Sequence, residues 1–174
     1  MPSSSHNLAY TALVNPSDST LDFINPHITA SQLWDGLLAK ARAAEGFVGG
    51  AILSTTVLDE STNEDGNLVI NREVVFSATP DAKPVHEKVT AYEPSQVDFE
   101  QPNGSVISNV ISEGSHGELY LTYVFRWMHP GLSAEEVDQV MEKEKSGAKT
   151  AVEATLVAVR KLVQEENAAR KSAI

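Results

Sequence analysis

From residue 48 to residue 128 the sequence alternates apolar and polar positions at period two, and from Ser133 onward it carries one apolar stripe at helical spacing. The first pattern is that of half-buried strands and the second that of an amphipathic helix, so the switch constrains the fold strongly. The stretch "GELYLTYVFRWMHPG", residues 117–131, is the clearest strand. Its odd positions Leu119, Leu121, Tyr123, Phe125 and Trp127 form one apolar face, and its even positions are mixed.

Turn-forming residues divide the alternating region. "AILSTTVLDE", "NLVINREVVF", "VHEKVTAYE", "QVDFEQ", "SVISNVIS" and the stretch above read as strands, separated by "STNEDG", "SATPDAK", a bend at Pro94, Asn103-Gly104 and "EGSHG". An earlier strand, "NLAYTALV" at residues 7–14, makes seven. A turn-rich loop over 15–27 leads to a helix that opens on Thr29 and Gln32 at capping-box spacing, continues through Leu33, Trp34, Leu37, Leu38 and Ala41, and stops by Gly46. Ser133 and Glu136 form a second capping box after Pro130 and Gly131. Val137, Val140, Met141, Ala148, Ala151, Val152, Thr155, Leu156, Val159, Leu162 and Val163 then mark one face of a helix expected over about 134–166. Gly147 is a place where it can bend.

A strand, a helix, six antiparallel strands and a long terminal helix is an α+β arrangement. The sheet face and the helix stripe are both buried if the sheet curls around the helix, which leaves room for a cavity between them. The 174 residues suit one domain over 1–174, with flexible ends at 1–6 and 167–174.

Composition removes several functions. There is no cysteine, hence no disulfide framework, thiolate metal site or cysteine nucleophile. The net charge of −11 opposes nucleic acid or an anionic membrane as partner. The opening "MPSSSHNLAY" lacks a secretory pattern and no stretch is apolar enough to span a bilayer, so a cytoplasmic protein is expected. His6, His27, His86, His116 and His129 show no paired ligand spacing, so no metal site is expected. No cofactor is expected either: "GFVGG" lacks the context of a phosphate loop, and there is no Gly-x-Ser-x-Gly elbow.

Strand pairing indicates which side chains face inward. Pairing Val74 with Val85 sets Arg72 opposite Glu87 and Ile70 opposite Val89, so a charged pair lies among Leu68, Ile70, Val74, Phe76, Val85 and Val89. Such a pair is either a cross-strand strut or a functional pair in a ligand cavity. A turn centred on Asn103-Gly104 pairs Phe99 with Ser108 and Val97 with Val110, and the next pairs Ser108 with Tyr123, Val110 with Leu121 and Val106 with Phe125. A slip of one residue would place Asn109 inside instead of Ser108. In the first register Ile107, Ile111, Tyr120 and Val124 lie on the outer face and offer a homodimer contact.

The segments "LWDGLLAKARAAEGFV", "REVVF", "HEKVTAYEPSQVDFE", "SNVISEGSHGELYLTYVFRWMHPG" and "AVEATLVAVRKLVQE" resemble the AtaL-like family, a mostly fungal group within the START-like (SRPBCC, birch-pollen-allergen-like) superfamily. The resemblance runs in order over residues 8–166. It implies a helix-grip fold with a deep hydrophobic cavity. Members of the superfamily bind lipids, hormones and polyketides, some of them as aromatase/cyclases, and the AtaL-like name derives from a secondary-metabolite gene cluster. The resemblance brings no catalytic motif, so the site residues rest on strand pairing.

The expected site has Arg72 as anion clamp, Glu87 as general base and Tyr123 as hydrogen-bond donor, with Trp34, Phe76, Phe99, Ser108, Leu121, Phe125 and Trp127 around the ligand. The groups suit cyclisation, aldol-type condensation or isomerisation of a polyketide-like or other hydrophobic molecule. The alternative is a carrier that holds a hydrophobic metabolite or lipid without converting it. A buried, required Arg72–Glu87 pair favours the enzyme, and an apolar cavity with the pair at its rim favours the carrier.

Overall fold

The computed structural model describes residues 5–17, 26–78 and 83–173. Its elements are β1 (Ser5–Leu13), α1 (Ala30–Arg42), β2 (Ile52–Thr62), β3 (Leu68–Phe76), β4 (Val85–Tyr92), β5 (Gln96–Glu100), β6 (Val106–Glu113), β7 (Leu119–Met128) and α2 (Ala134–Ser172). All seven strands form one antiparallel sheet in the order β1-β7-β6-β5-β4-β3-β2. Both helices pack on its inner face, α2 against β1 and β7 and α1 against β6, β2 and β3. Parts of the loops expected over 15–27 and 77–83 lie outside the described residues, as do residues 1–4.

Both capping boxes form. Thr29 and Gln32 bond reciprocally at the start of α1, and Ser133 and Glu136 do so at the start of α2. α1 ends at Arg42, before Gly46, because Ala43 is already extended. α2 runs through Gly147 and beyond residue 166, so 167–172, expected to be a flexible tail, are helical. Ala168, Ala169, Arg170 and Lys171 in that segment are strong helix formers and sustain it without burial. Of the stripe on α2, Val137, Ala148, Val152, Thr155, Leu156, Val159 and Val163 are buried, Val140, Ala151 and Leu162 half-buried and Met141 exposed. At the other end of the chain, Ser5 and His6 belong to β1.

The helices meet at a tight point. A Cβ added to Gly36 of α1 would lie 2.5 Å from Cγ2 of Val159, so only glycine permits this approach.

Three hairpins share one kind of connection. Gly66 N–H donates to the Asn63 carbonyl, Gly104 N–H to Gln101 and Gly117 N–H to Gly114. Each glycine has positive φ, at 85°, 89° and 85°. This is a turn followed by a left-handed residue, a three-residue loop rather than a two-residue one. Pro102 is the clue in the second loop, since proline favours the first central position of a type I turn and glycine the last position.

The loop length corrects the expected register of β5, β6 and β7. Phe99 pairs with Ile107 and Val97 with Asn109, while Asn109 pairs with Tyr123, Ile107 with Phe125 and Ile111 with Leu121. Ser108, expected inside, pairs with Asp98 and Val124 on the outer face, and Val106 and Val110 turn outward with it. Ile107 and Ile111 turn inward, so the proposed dimer patch is reduced to Tyr120 and Val124. β3 and β4 pair as expected, with Arg72 opposite Glu87, Ile70 opposite Val89 and Val74 opposite Val85.

Candidate functional site

The middle of the inner face carries a polar inclusion among apolar side chains. Arg72, Glu87, Lys40, Asn109, Tyr123 and Thr155 are all buried within it. Ile70, Val74, Val89, Val97, Phe99 and Leu121 belong to the same core.

Arg72 and Glu87 form a buried ion pair. Arg72 Nε and one terminal nitrogen donate to Glu87 Oε2 at 2.9 and 2.6 Å, and Gln101 Nε2 donates to Glu87 Oε1 at 3.0 Å. The other terminal nitrogen donates to the carbonyls of Lys40 and Ala41, at 3.0 and 2.9 Å. Those carbonyls belong to the last turn of α1, where intrahelical donors run out. All but one of the guanidinium N–H groups are thus bonded within the protein. The pair holds the end of α1 against the sheet.

That attachment positions Lys40. Its Nζ donates to Asn109 Oδ1 at 2.5 Å and lies 4.5 Å from the ring centre of Phe99 and 4.4 Å from that of Tyr123. Burial pushes the Lys40 ammonium well below the ordinary lysine value, and the Arg72 cation lowers it further, against a smaller opposing effect of Glu87. Asn109 Nδ2 is buried without a hydrogen-bond partner. The inclusion therefore retains a depressed amine and an unused amide donor.

Tyr123 is committed differently. Thr155 Oγ1 donates to the Phe47 carbonyl at 2.9 Å, so the Tyr123 hydroxyl, 2.6 Å from Thr155 Oγ1, donates to it. Burial raises the phenol above its ordinary value. Tyr123 thus keeps its proton, held in the hydrogen bond to Thr155.

The remaining expected residues divide into groups. Phe99, Leu121 and Phe125 are buried on the inner face, and Trp34 is buried on α1. Phe125 lies 4.5 Å from the half-buried Trp127 and 6.1 Å from Tyr123, between ring centres. Phe76 is half-buried at the end of β3, and Ser108 faces away. A pocket of about 300 Å³ lies between the end of β1 and α2, lined by residues that include Val14, Asn15, His27, Glu153, Leu156 and Arg160. None of the expected ligand residues lines it. None of the residues of the polar inclusion lines it either.

Sequence reasoning missed Lys40 and did not settle on Asn109. The signal for Lys40 was its spacing: residues 33, 37, 40 and 41 fall on one helical face, which places a lysine on the stripe of Leu33, Leu37 and Ala41.

The family model described as acetylaranotin biosynthesis cluster protein L, AtaL, matches residues 8–166. The chain belongs to the AtaL family. No curated protein sequence matches it significantly. Among solved structures it is similar to the Zhui aromatase/cyclase of a Streptomyces species, with a TM-score of 0.59 and 12% identity over 91% of this chain and 96% of that one. It is also similar to the di-domain aromatase/cyclases StfQ of the steffimycin pathway and BexL of the BE-7585A pathway. The TM-scores are 0.59 and 0.55, with 7% and 11% identity over 94% and 92% of this chain. The chain spans about half the length of those two, 52% and 50%. At such identities the likeness shows a shared fold, the helix-grip arrangement of sheet and long C-terminal helix. Among the described residues no helix is long and apolar enough to cross a membrane.

Proposed function

We propose that this protein is a cyclase-type enzyme acting on a carbonyl-rich, polyketide-like chain, with Lys40 as general base and Asn109 as enolate-stabilising donor. The observation that carries the reading is a buried lysine of depressed basicity beside an unpartnered amide N–H. The family and the aromatase/cyclase fold neighbours support the same reaction class.

In the proposed step the neutral Lys40 amine takes a proton from the carbon between two carbonyls. The C–H electron pair passes into an enolate whose oxygen accepts from Asn109 Nδ2. The enolate carbon attacks a carbonyl carbon further along the chain, forming a C–C bond and an alkoxide, and the Lys40 ammonium returns its proton to that alkoxide. The Phe99 and Tyr123 rings confine the folded chain, which supplies part of the rate. Arg72 and Glu87, first read as clamp and base, act here as positioning groups: they hold Lys40's helix turn, and Arg72 lowers the basicity of its amine.

The test is ring formation from a synthetic β-ketone thioester followed by NMR, with wild type and Lys40→Met. General-base catalysis contributes about 100- to 10,000-fold, and the variant is expected to lose that factor while still binding the thioester. Equal rates would overturn the assignment of Lys40. Binding without turnover by the wild type would select the carrier reading instead.

A further inference from the structure

At the far end of the aromatic stripe, beyond Trp127, three residues distant in sequence converge. His6 comes from β1, His129 directly follows β7 and Glu144 lies in α2. One ligand-capable atom of each lies within 4.8 Å of the other two. His6 Nε2 is 2.9 Å from Glu144 Oε2, and His129 Nε2 is 3.1 Å from Oε1 and 3.3 Å from Oε2.

We propose that His6, His129 and Glu144 form a binding site for a divalent first-row transition metal. His6 provides the decisive observation. Its side chain is 9% exposed, and neither ring nitrogen makes a hydrogen bond, although Nε2 is so close to a carboxylate. The oxygen lies near the nitrogen but off the direction in which an N–H would point. Two atoms bound to one ion at about 2.0–2.2 Å, with an angle of 90–110° between them, lie about 2.8–3.6 Å apart without facing each other. The three His–Glu separations fall in that range. A metal on the His6 lone pair would also satisfy a buried nitrogen that otherwise has no partner.

The surroundings are those of a held ligand set. The His6 ring is stacked on His129 at 5.6 Å and tilted against Trp127 at 5.5 Å. His129 and Glu144 remain partly exposed, at 18% and 20%, which gives an ion access and leaves room for water in the open positions. Two imidazoles and one carboxylate suit zinc or iron(II) and are poor for magnesium, which prefers oxygen ligands. The bound ion would also fasten the sparsely buried first half of α2, since from residue 138 to 147 no side chain is buried and only Val140 and Glu144 are half-buried.

The experiment uses the full, untagged chain stripped with chelator and titrated separately with zinc, cobalt(II) and magnesium, with cobalt absorption and calorimetry as readouts. One equivalent of zinc or cobalt(II) should bind at micromolar or lower concentration, with visible cobalt bands, and zinc should raise the melting temperature. Magnesium should do neither. Losing a group that merely supports a ligand costs about 10–100-fold in affinity, so His6→Gln, His129→Gln and Glu144→Gln should each cost more than about 100-fold. His116→Gln, outside the cluster, should change nothing. Melting of the metal-free variants shows that they fold. A wild type that takes up neither zinc nor cobalt(II), or folded variants that bind as tightly as wild type, would reduce the cluster to a carboxylate bridging two histidines and overturn the proposal.

Discussion

Replacing Arg72 and Glu87 together by apolar residues separates the worth of the ion pair from the worth of the helix attachment. A buried pair exchanged for hydrophobic residues of similar volume is often neutral or stabilising by about 1–4 kcal/mol, because two desolvated charges disappear. Here Arg72 also donates to the carbonyls of Lys40 and Ala41. In the double variant Arg72→Met/Glu87→Leu both acceptors lose that donor, and an orphaned buried polar group costs about 1–3 kcal/mol. The expected net loss is about 2–6 kcal/mol, taking the removed charges as no gain. For a chain of this size that corresponds to a melting temperature lower by roughly 5–25 °C. Glu87→Leu alone, which strands the guanidinium, should cost about 3–5 kcal/mol. Urea unfolding and thermal melting of wild type, both single variants and the double variant form the cycle. A double variant as stable as wild type would refute the attachment of α1 through Arg72.

Lys40→Met should alter how stability depends on pH. The folded-state basicity of Lys40 lies below its ordinary value of 10.5, so above the folded pKa the unfolded chain binds the extra proton and rising pH favours the folded state. Wild type should gain stability relative to the variant as pH climbs through that window toward 10.5, and parallel curves from denaturant titrations would contradict the burial of a titrating lysine. Gly36→Ala should destabilise by about 1–2 kcal/mol, overpacking against Val159 outweighing the gain in helix propensity, and Val159→Ala should recover part of it in the double variant. A stabilised single variant in thermal melts would show that the helices can separate there at no cost. Thr155→Val removes the acceptor of the Tyr123 hydroxyl and the donor to the Phe47 carbonyl, and should cost about 1–3 kcal/mol in urea unfolding; an unchanged midpoint would mean that the relay contributes nothing.

What the sequence revealed depended on the range of each signal. Strand alternation and both capping boxes are local, and the elements they define formed as read. Pairing Arg72 with Glu87 followed from keeping Ile70, Val74, Val85 and Val89 on one face, because a register shifted by one would have turned one strand's pair of them outward. β6 offered no such constraint. Its two faces, Ile107, Asn109 and Ile111 against Val106, Ser108 and Val110, are almost equally apolar, so the turn alone decided between them. His6, His129 and Glu144 had no legible spacing, because a strand, a loop and a helix bring them together only in the folded chain.

The three-residue turns ending in Gly104 and Gly117 have an evolutionary corollary. β6 carries two linings on one strand, and loop length selects which of them the interior receives. One codon removed from each of those loops, both lying at the surface, would rotate Asn109 out and Ser108 in without altering a residue of β6. A lineage built on this sheet can therefore exchange the chemistry of a whole wall by insertion and deletion, a route quicker than stepwise replacement of buried side chains.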